Sequence, residues 1–179
     1  MELFIDSVGK RFNLAIINNK KVLTFKSVKT DRNTANNGVN WIKDFLGKNQ
    51  INLFDIQGYY LTIGPGSYTG TKVGFNIIQA FELVNPTKNF YIINNFDLLK
   101  TWKPKVAIEI GKDKFVVRRW IFNSHYDKIL PLAGIDKIQT VIGYEEFKKE
   151  ALQDKITNGS FKAYKDLAEV KLQYGNKLI

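Results

Sequence analysis

The feature that most constrains this chain is a turn of seven residues, 64–70, which contains three glycines and one proline between two apolar segments. Pro65 followed by Gly66 is typical of a type II turn, because proline fixes φ at the second position and glycine accepts a positive φ at the third. Ser67 or Thr69 can cap a helix that follows. The pattern predicts a sharp strand-to-helix connection. The residues that we expect to form this structural turn are Gly64, Pro65, Gly66, Ser67 and Thr69.

Two phosphate-binding interpretations of the turn fail on spacing. A P-loop needs four residues between its glycines and then Lys with a hydroxyl residue, which the segment from Gly66 to Lys72 does not supply. The dinucleotide fingerprint has two residues between its second and third glycines, whereas three separate Gly66 from Gly70. A helix N-terminus offered to another anion stays open, but a purely structural turn is favoured.

The segments on either side of the turn predict an α/β fold. Short apolar runs separated by turn residues predict three opening strands, and apolar residues at helical spacing predict a first helix that begins near Asn33. The predicted elements of this part are strands at 3–5, 12–17, 22–28, 59–63 and 90–93 and helices at 33–46 and 71–84. This order is typical of a mixed sheet flanked by helices.

A lobe boundary is predicted around Pro104, so that residues 1–104 form a first lobe and residues 105–179 a second, smaller lobe. A hairpin of strands at 106–110 and 115–122 is expected to open the second lobe. After it we expect a strand at 138–142, a helix at 144–154, a short segment at 156–161 and a terminal helix at 163–174.

Composition narrows the functional classes. The chain has 179 residues, 44% of them hydrophobic, and no cysteine, which excludes disulfide frameworks and Cys-ligated metal sites. It shows no basic leader and no apolar run of the roughly 20 residues that span a bilayer, so we expect a cytoplasmic protein that needs no membrane. The net charge of +10 favours anionic partners, although A+T-rich coding also produces many lysines and asparagines.

Two ionisable residues invite a catalytic interpretation. Asp6 ends the first strand ahead of a tight turn, as in a hairpin that grips phosphate and positions a metal, although a lone Asp in such a turn is usually structural. Residues 109–112 are the only matching hairpin in the second lobe, and they carry no hydroxyl. His125 is the one histidine and has no nucleophile motif near it, so a catalytic His125 is disfavoured.

The second predicted helix has two apolar sides. Phe75 and Ile78 lie on one of them, near Gly74, and the four-residue spacing from Gly70 to Gly74 lets another backbone approach closely. The other side, which we expect to face the sheet, consists of Val73, Ile77, Ala80, Phe81 and Val84. From the residues alone, a broad core and an exposed docking surface are both open.

The segment Gly64-Pro-Gly-Ser-Tyr-Thr-Gly-Thr-Lys-Val-Gly74 resembles the Gly-Pro-Gly-Ser-Phe-Thr-Gly-x-Arg-x-Gly signature of the TsaB (YeaZ) family. The opening Leu3-Phe-Ile-Asp-Ser7 is similar to that family's Leu-Ala-Ile-Asp-Thr, and the segment ending at Thr34 resembles its Arg-x-His-Thr. The likeness covers roughly residues 1–122. It departs at Asn33, where the family has His, and it implies a shortened second lobe.

This resemblance implies an actin-like fold of the ASKHA, RNase H-like type, with two lobes of which the second is truncated, and a subunit that is not itself an enzyme. TsaB proteins partner TsaD, with TsaE, in the transfer of threonylcarbamoyl to N6 of the adenosine 3′ of the anticodon in tRNAs that read ANN codons. The chemistry, the ATP and the metal belong to the partner subunits, so no cofactor is expected here.

In that family the first two helices pack against TsaD or, in a homodimer, against a second TsaB copy, and tRNA contact is indirect. The resemblance therefore favours the docking interpretation of the second helix. The expected partner contacts are Trp41, Phe45, Gly70, Gly74, Phe75 and Ile78. Two alternatives stay open: an actin-like nucleotide-binding enzyme that uses Asp6, and a basic RNA-binding module.

Overall fold

A six-stranded mixed sheet forms the centre of the molecule. The structure is a computed structural model and describes residues 1–31, 33–87, 89–100, 105–111, 114–121, 124–131, 135 and 147–174. The strands are β1 (Glu2–Asp6), β2 (Arg11–Asn18), β3 (Lys21–Lys29), β4 (Gly58–Thr62), β5 (Phe90–Ile93), β6 (Lys105–Gly111), β7 (Lys114–Ile121), β8 (Ser124–Pro131) and β9 (Lys162–Tyr164). The helices are α1 (Thr34–Lys48), α2 (Tyr68–Val84), α3 (Asn95–Leu99) and α4 (Lys149–Thr157).

The strand order of the central sheet is β3-β2-β1-β4-β5-β9. β1, β2 and β3 form an antiparallel meander, whereas β4 lies parallel to β1 and β5 parallel to β4. Parallel neighbours need a crossover connection, and α2 supplies the one between β4 and β5. The mixed sheet flanked by helices that the sequence predicts is thereby confirmed.

Both faces of the sheet are covered, so its inner strands are apolar without a polar alternation. In β1, Leu3 and Ile5 point to the face covered by α1 and α2, and Phe4 points to the opposite face. On that opposite face Phe4 belongs to a cluster with Phe96 of α3 and Leu152 of α4. The core is therefore two apolar layers with the sheet between them.

The residues of the predicted second lobe lie in two different parts of the structure. Its hairpin is confirmed as β6 and β7, which form a separate three-stranded sheet with β8, and a bidentate ion pair between Arg118 and Asp127 joins β7 to β8. Residues 147–174 instead pack on the central sheet. In particular, the Val22 backbone N–H of β3 donates to Oε1 of Gln153 in α4 at 2.7 Å.

The predicted terminal helix at 163–174 is wrong. Residues Lys162–Tyr164 form β9, which pairs with β5, and only the 3₁₀ turn Leu167–Glu169 follows. Leu167 and Val170 have helical spacing, but both are buried against the α1–α2 side of the sheet. The open edge of β5 and this burial override a weak local helix preference.

Other expectations fall outside the described residues, namely the strand at 138–142, the residues around the boundary at 102–104 and the start of the helix expected at 144. Of that helix, the part from Lys149 is observed as α4 and extends to Thr157. No helix in the described part of the chain is long and apolar enough to cross a membrane.

Candidate functional site

The glycine-rich turn lies directly on the hairpin between β1 and β2. A Cβ atom added at Gly70 would overlap the carbonyl oxygen of Ser7, and one added at Gly74 would overlap its hydroxyl. The Ser7 hydroxyl also donates a hydrogen bond to the carbonyl oxygen of Gly70 at 2.7 Å. The group that approaches these two glycines therefore belongs to this chain, with the Ser7 backbone at Gly70 and the Ser7 side chain at Gly74, and it fixes the first turns of α2 against the end of β1.

The turn itself differs in one respect from the type II turn expected from Pro65 and Gly66. The Gly64–Pro65 peptide bond is cis, and the positive φ, +93°, occurs at Gly64. Gly66 is required for space instead, because a Cβ there would overlap the side chain of Val8. Ser67 is confirmed as the helix cap, since its hydroxyl accepts from the Gly70 N–H at 3.2 Å.

Asp6 is enclosed by the protein. Its Oδ1 accepts hydrogen bonds from the Thr62 hydroxyl at 2.8 Å and the Val8 N–H at 3.2 Å, and its Oδ2 accepts from Nδ2 of Asn13 at 2.9 Å. Burial raises the pKa of Asp6 to about 6, against the opposing effect of these hydrogen bonds. The residue is fully buried, and these hydrogen bonds tie its carboxylate to β2, β4 and the hairpin backbone.

The other candidate catalytic residue is isolated. His125 is exposed on β8, opposite Trp120 of β7. The described residues contain no group of three His, Asp or Glu side chains arranged to hold a metal ion. The arrangement around Asp6 and His125 therefore supports a structural role for the first residue and assigns no role to the second.

The structure turns α2 about its axis relative to the expected orientation, so that the side expected to dock is the more deeply buried one. Phe75 and Ile78 face the sheet and are buried in the same cluster as Leu61 of β4. Of the side expected to face the sheet, Ile77 is buried, Val73 and Phe81 are half-buried, and Ala80 and Val84 are exposed. The reason is the glycines, since Gly70 and Gly74 lie on the Ile78 side and permit the close approach to Ser7.

The exposed side of α2 forms an apolar surface together with α1. Two adjoining open grooves of about 450 and 250 Å³ run between and beside the helices, and both are lined by Val39 and Phe81. Val39 is 52% exposed, and Val84 at the end of α2 is 58% exposed. We call the outward side chains of this region the α1–α2 face. It consists of Ala35, Val39, Val73, Ala80, Phe81 and Val84.

The residues expected to contact a partner lie elsewhere. Gly70, Gly74, Phe75 and Ile78 are buried beneath α2, and Phe45 is buried beneath α1. Trp41 is half-buried, and its ring centroid lies 5.3 Å from that of Phe12 in β2. Most of the residues expected at a partner contact are therefore buried in this chain's own core. Periodicity alone could not distinguish this buried side of the helices from the outward one; the positions of the glycines carry the missing signal.

Comparison with known sequences gives partial matches. No family model matches the chain. A stretch of 116 residues is 30% identical to the uncharacterized protein MG208 of Mycoplasma genitalium and spans 63% of this chain and 59% of that protein. A stretch of 99 residues is 28% identical to the MG208 homolog of Mycoplasma pneumoniae and spans 54% and 50%. The matched segment thus covers between half and three fifths of each relative.

Comparison with solved structures covers almost the whole chain. YeaZ from Pseudomonas aeruginosa is similar over 97% of this chain and 100% of its own, with a TM-score of 0.65 and 11% sequence identity. The chain has the YeaZ fold. A second structure, described as an uncharacterized protein similar to peptidase YeaZ from Pseudomonas aeruginosa, has a TM-score of 0.66 at 12% identity and matches 97% and 99%. The actin-like architecture implied by the Gly64–Gly74 motif is therefore confirmed.

Proposed function

We propose that this chain is a non-catalytic subunit that docks through its α1–α2 face onto a TsaD-type subunit, and so supports threonylcarbamoyl transfer to tRNA. The observation that carries the proposal is an open apolar surface on the first two helices of a YeaZ-like fold. Contiguous exposed apolar surface is typical of interaction sites. We infer the kind of partner from the resemblance of the motif at Gly64–Gly74 to the TsaB family.

A role without chemistry is supported by the hairpin after β1. In an actin-like enzyme this is where an acidic residue would meet phosphate and metal, but Asp6 is fully buried and its carboxylate accepts hydrogen bonds from Asn13, Thr62 and Val8. The glycine-rich turn covers the same hairpin from outside through Gly66 and Gly70. We therefore assign the hairpin to positioning α2 and place the reacting groups on the partner.

The shape of the face indicates how a partner would dock. Two neighbouring helices present an apolar strip bordered by polar side chains such as Lys43 and Asn76, which matches a pair of helices packing lengthwise. A TsaD-type subunit of the same fold would offer its own corresponding helices. In the free protein we propose that a second copy of this chain covers the face.

The test is co-expression with the TsaD of the same cell, followed by size-exclusion chromatography with light scattering. A one-to-one complex is expected with the unmodified chain. Ala80→Glu should abolish it, because a carboxylate would be buried in the apolar strip. Gln79→Glu adds the same charge to the same helix at an exposed position outside the strip, and should leave the complex intact.

Circular dichroism separates loss of docking from loss of folding, since Ala80 is exposed and its substitution should leave the fold unchanged. A complex that survives Ala80→Glu, or one that Gln79→Glu destroys equally, would contradict the proposed face. A failure to form any complex with TsaD would contradict the proposed partner. Light scattering of the chain alone tests the second-copy arrangement, because Ala80→Glu should then convert a dimer to a monomer.

A further inference from the structure

Two tyrosine rings meet at the start of α2, outside the α1–α2 face. The ring centroids of Tyr68 and Tyr174 lie 4.8 Å apart at an interplanar angle of 43°. Tyr68 is 54% exposed although it is the first residue of a long, well-packed helix. Two aromatic rings held together at the surface offer flat apolar area to a planar ligand.

The second ring is held in place by the fold. The Gln173 N–H donates to the carbonyl oxygen of Ile63 at 2.8 Å, which attaches the segment before Tyr174 to the end of β4. The same segment lies against Gly64, where an added Cβ would overlap the carbonyl oxygen of Gln173. Tyr174 is therefore fixed beside α2 by backbone contacts, so a ligand would meet a preformed site.

The surroundings of the rings are cationic. The Lys72 ammonium lies 4.4 Å from the centroid of the Tyr68 ring, and its hydrogen bond with Tyr68 raises the pKa of Lys72. Lys171 is exposed on the segment that carries Tyr174. The two segments that form the site, residues 63–74 and 170–174, contain these two lysines and no Asp or Glu. A bound anion would meet no acidic side chain from either segment.

We propose that Tyr68, Tyr174 and Lys72 form a binding site for an unpaired nucleobase of single-stranded RNA and its adjacent phosphate. Stacking on aromatic rings beside a cation is how proteins commonly hold unpaired bases. Because Lys72 is exposed, its ammonium group can leave the Tyr68 ring and bind a phosphate instead. The ring face that it leaves is then free to stack on the base. An acidic peptide would use the lysines and leave the rings without a function.

This inference goes beyond the proposed docking function, because it places RNA on this chain itself. Tyr68 begins α2 and Val84 ends it, so the site and the far end of the α1–α2 face are separated by about 24 Å along the helix axis. The two sites can therefore be tested by different substitutions. Failure of one leaves the other standing.

The experiment is fluorescence anisotropy of a labelled oligouridylate, which stays single-stranded, with the full chain at several salt concentrations. Tyr68→Ala should weaken binding about five- to 150-fold, the range found when a stacking ring is removed. Tyr68→Phe keeps the ring and should bind like the unmodified chain. Lys72→Ala should make the plot of log affinity against log salt less steep, by about 0.7 in slope, because one phosphate contact is lost.

Tyr126→Ala is the matched control, since Tyr126 is a similarly exposed tyrosine on β8. It should leave the affinity unchanged. Equal weakening by Tyr68→Ala and Tyr126→Ala would overturn the proposal, as would an affinity for duplex RNA equal to that for the single strand. Displacement of the oligouridylate by polyglutamate at equal charge concentration would also overturn it, because charge alone would then account for binding.

Discussion

The two apolar sides of α2 have opposite fates. The inner side, with Gly70, Gly74 and Ile78, lies on the sheet and the hairpin so closely that a single Cβ at either glycine would overlap Ser7. The outer side, with Ala80 and Val84, is open to solvent. Helical periodicity shows that a helix has two apolar sides, whereas the positions of its smallest residues show which one is inside.

The largest difference between the two sides is expected for a charge. Phe75→Glu would bury a carboxylate in the core and should destabilise the chain by about 5 kcal/mol or more, enough to unfold it. Ala80→Glu, five residues along the same helix, should change the free energy of unfolding of the monomer by less than about 0.5 kcal/mol. Urea unfolding followed by circular dichroism measures both. If the Phe75→Glu variant folds, the conclusion that Phe75 is buried is wrong.

A smaller substitution tests the close approach itself. Gly70→Ala should lower the free energy of unfolding by about 3 kcal/mol or more, because the new methyl group overlaps backbone rather than a flexible side chain. Gly47→Ala in α1 is the matched control, since no atom lies within 4 Å of its added Cβ. That variant should gain up to about 1 kcal/mol from helix propensity. Equal stability changes in the two variants would refute the tight contact.

The hairpin beneath the inner side of α2 should also make the free energy of unfolding depend on pH, through Asp6. The pKa of Asp6 is raised from 3.8 to about 6, so its contribution to stability is full below pH 3.8 and is lost as pH rises through about 6. The change is at most about 3 kcal/mol over this interval. Asp6→Asn should remove it from urea unfolding curves recorded between pH 4 and 7.

The control for that experiment is Asp44→Asn, which removes an exposed carboxylate from α1. It should preserve the pH dependence that Asp6→Asn removes. If the unmodified chain and Asp6→Asn show the same dependence, Asp6 is not the residue that takes up the proton.

Much of the fold is predictable from local pattern. The opening meander, the helices α1 and α2 and the β6–β7 hairpin follow from apolar spacing and turn residues, because these signals are local in the sequence. β9 is not predictable in this way. Its partner β5 lies about 70 residues earlier, and its three residues are a strand only because that edge is available.

The candidate site was predictable in part. A sharp strand-to-helix turn at Gly64–Gly70 was visible in the sequence, as were Ser67 and Thr69 as the two candidates for the helix cap, of which Ser67 is the one observed. The identity of the outward side chains was missed, because Phe75 and Val73 are equally apolar and their spacing does not distinguish them. The side on which Gly70 and Gly74 lie does, since these two glycines are the ones that contact Ser7. The enclosure of Asp6 was also hidden, since Asn13 and Thr62 become its partners only when β2 and β4 flank β1.

The pairing of β9 with β5 has a consequence for synthesis. A ribosome makes β5 long before β9. A nascent chain that ends near residue 100 therefore contains all strands of the central sheet except β9, and the edge of β5 that β9 will occupy is still unpaired. Exposed edges invite pairing with other chains. The closing strand thus protects an edge that was formed early, and the central sheet is finished only when this late segment has emerged.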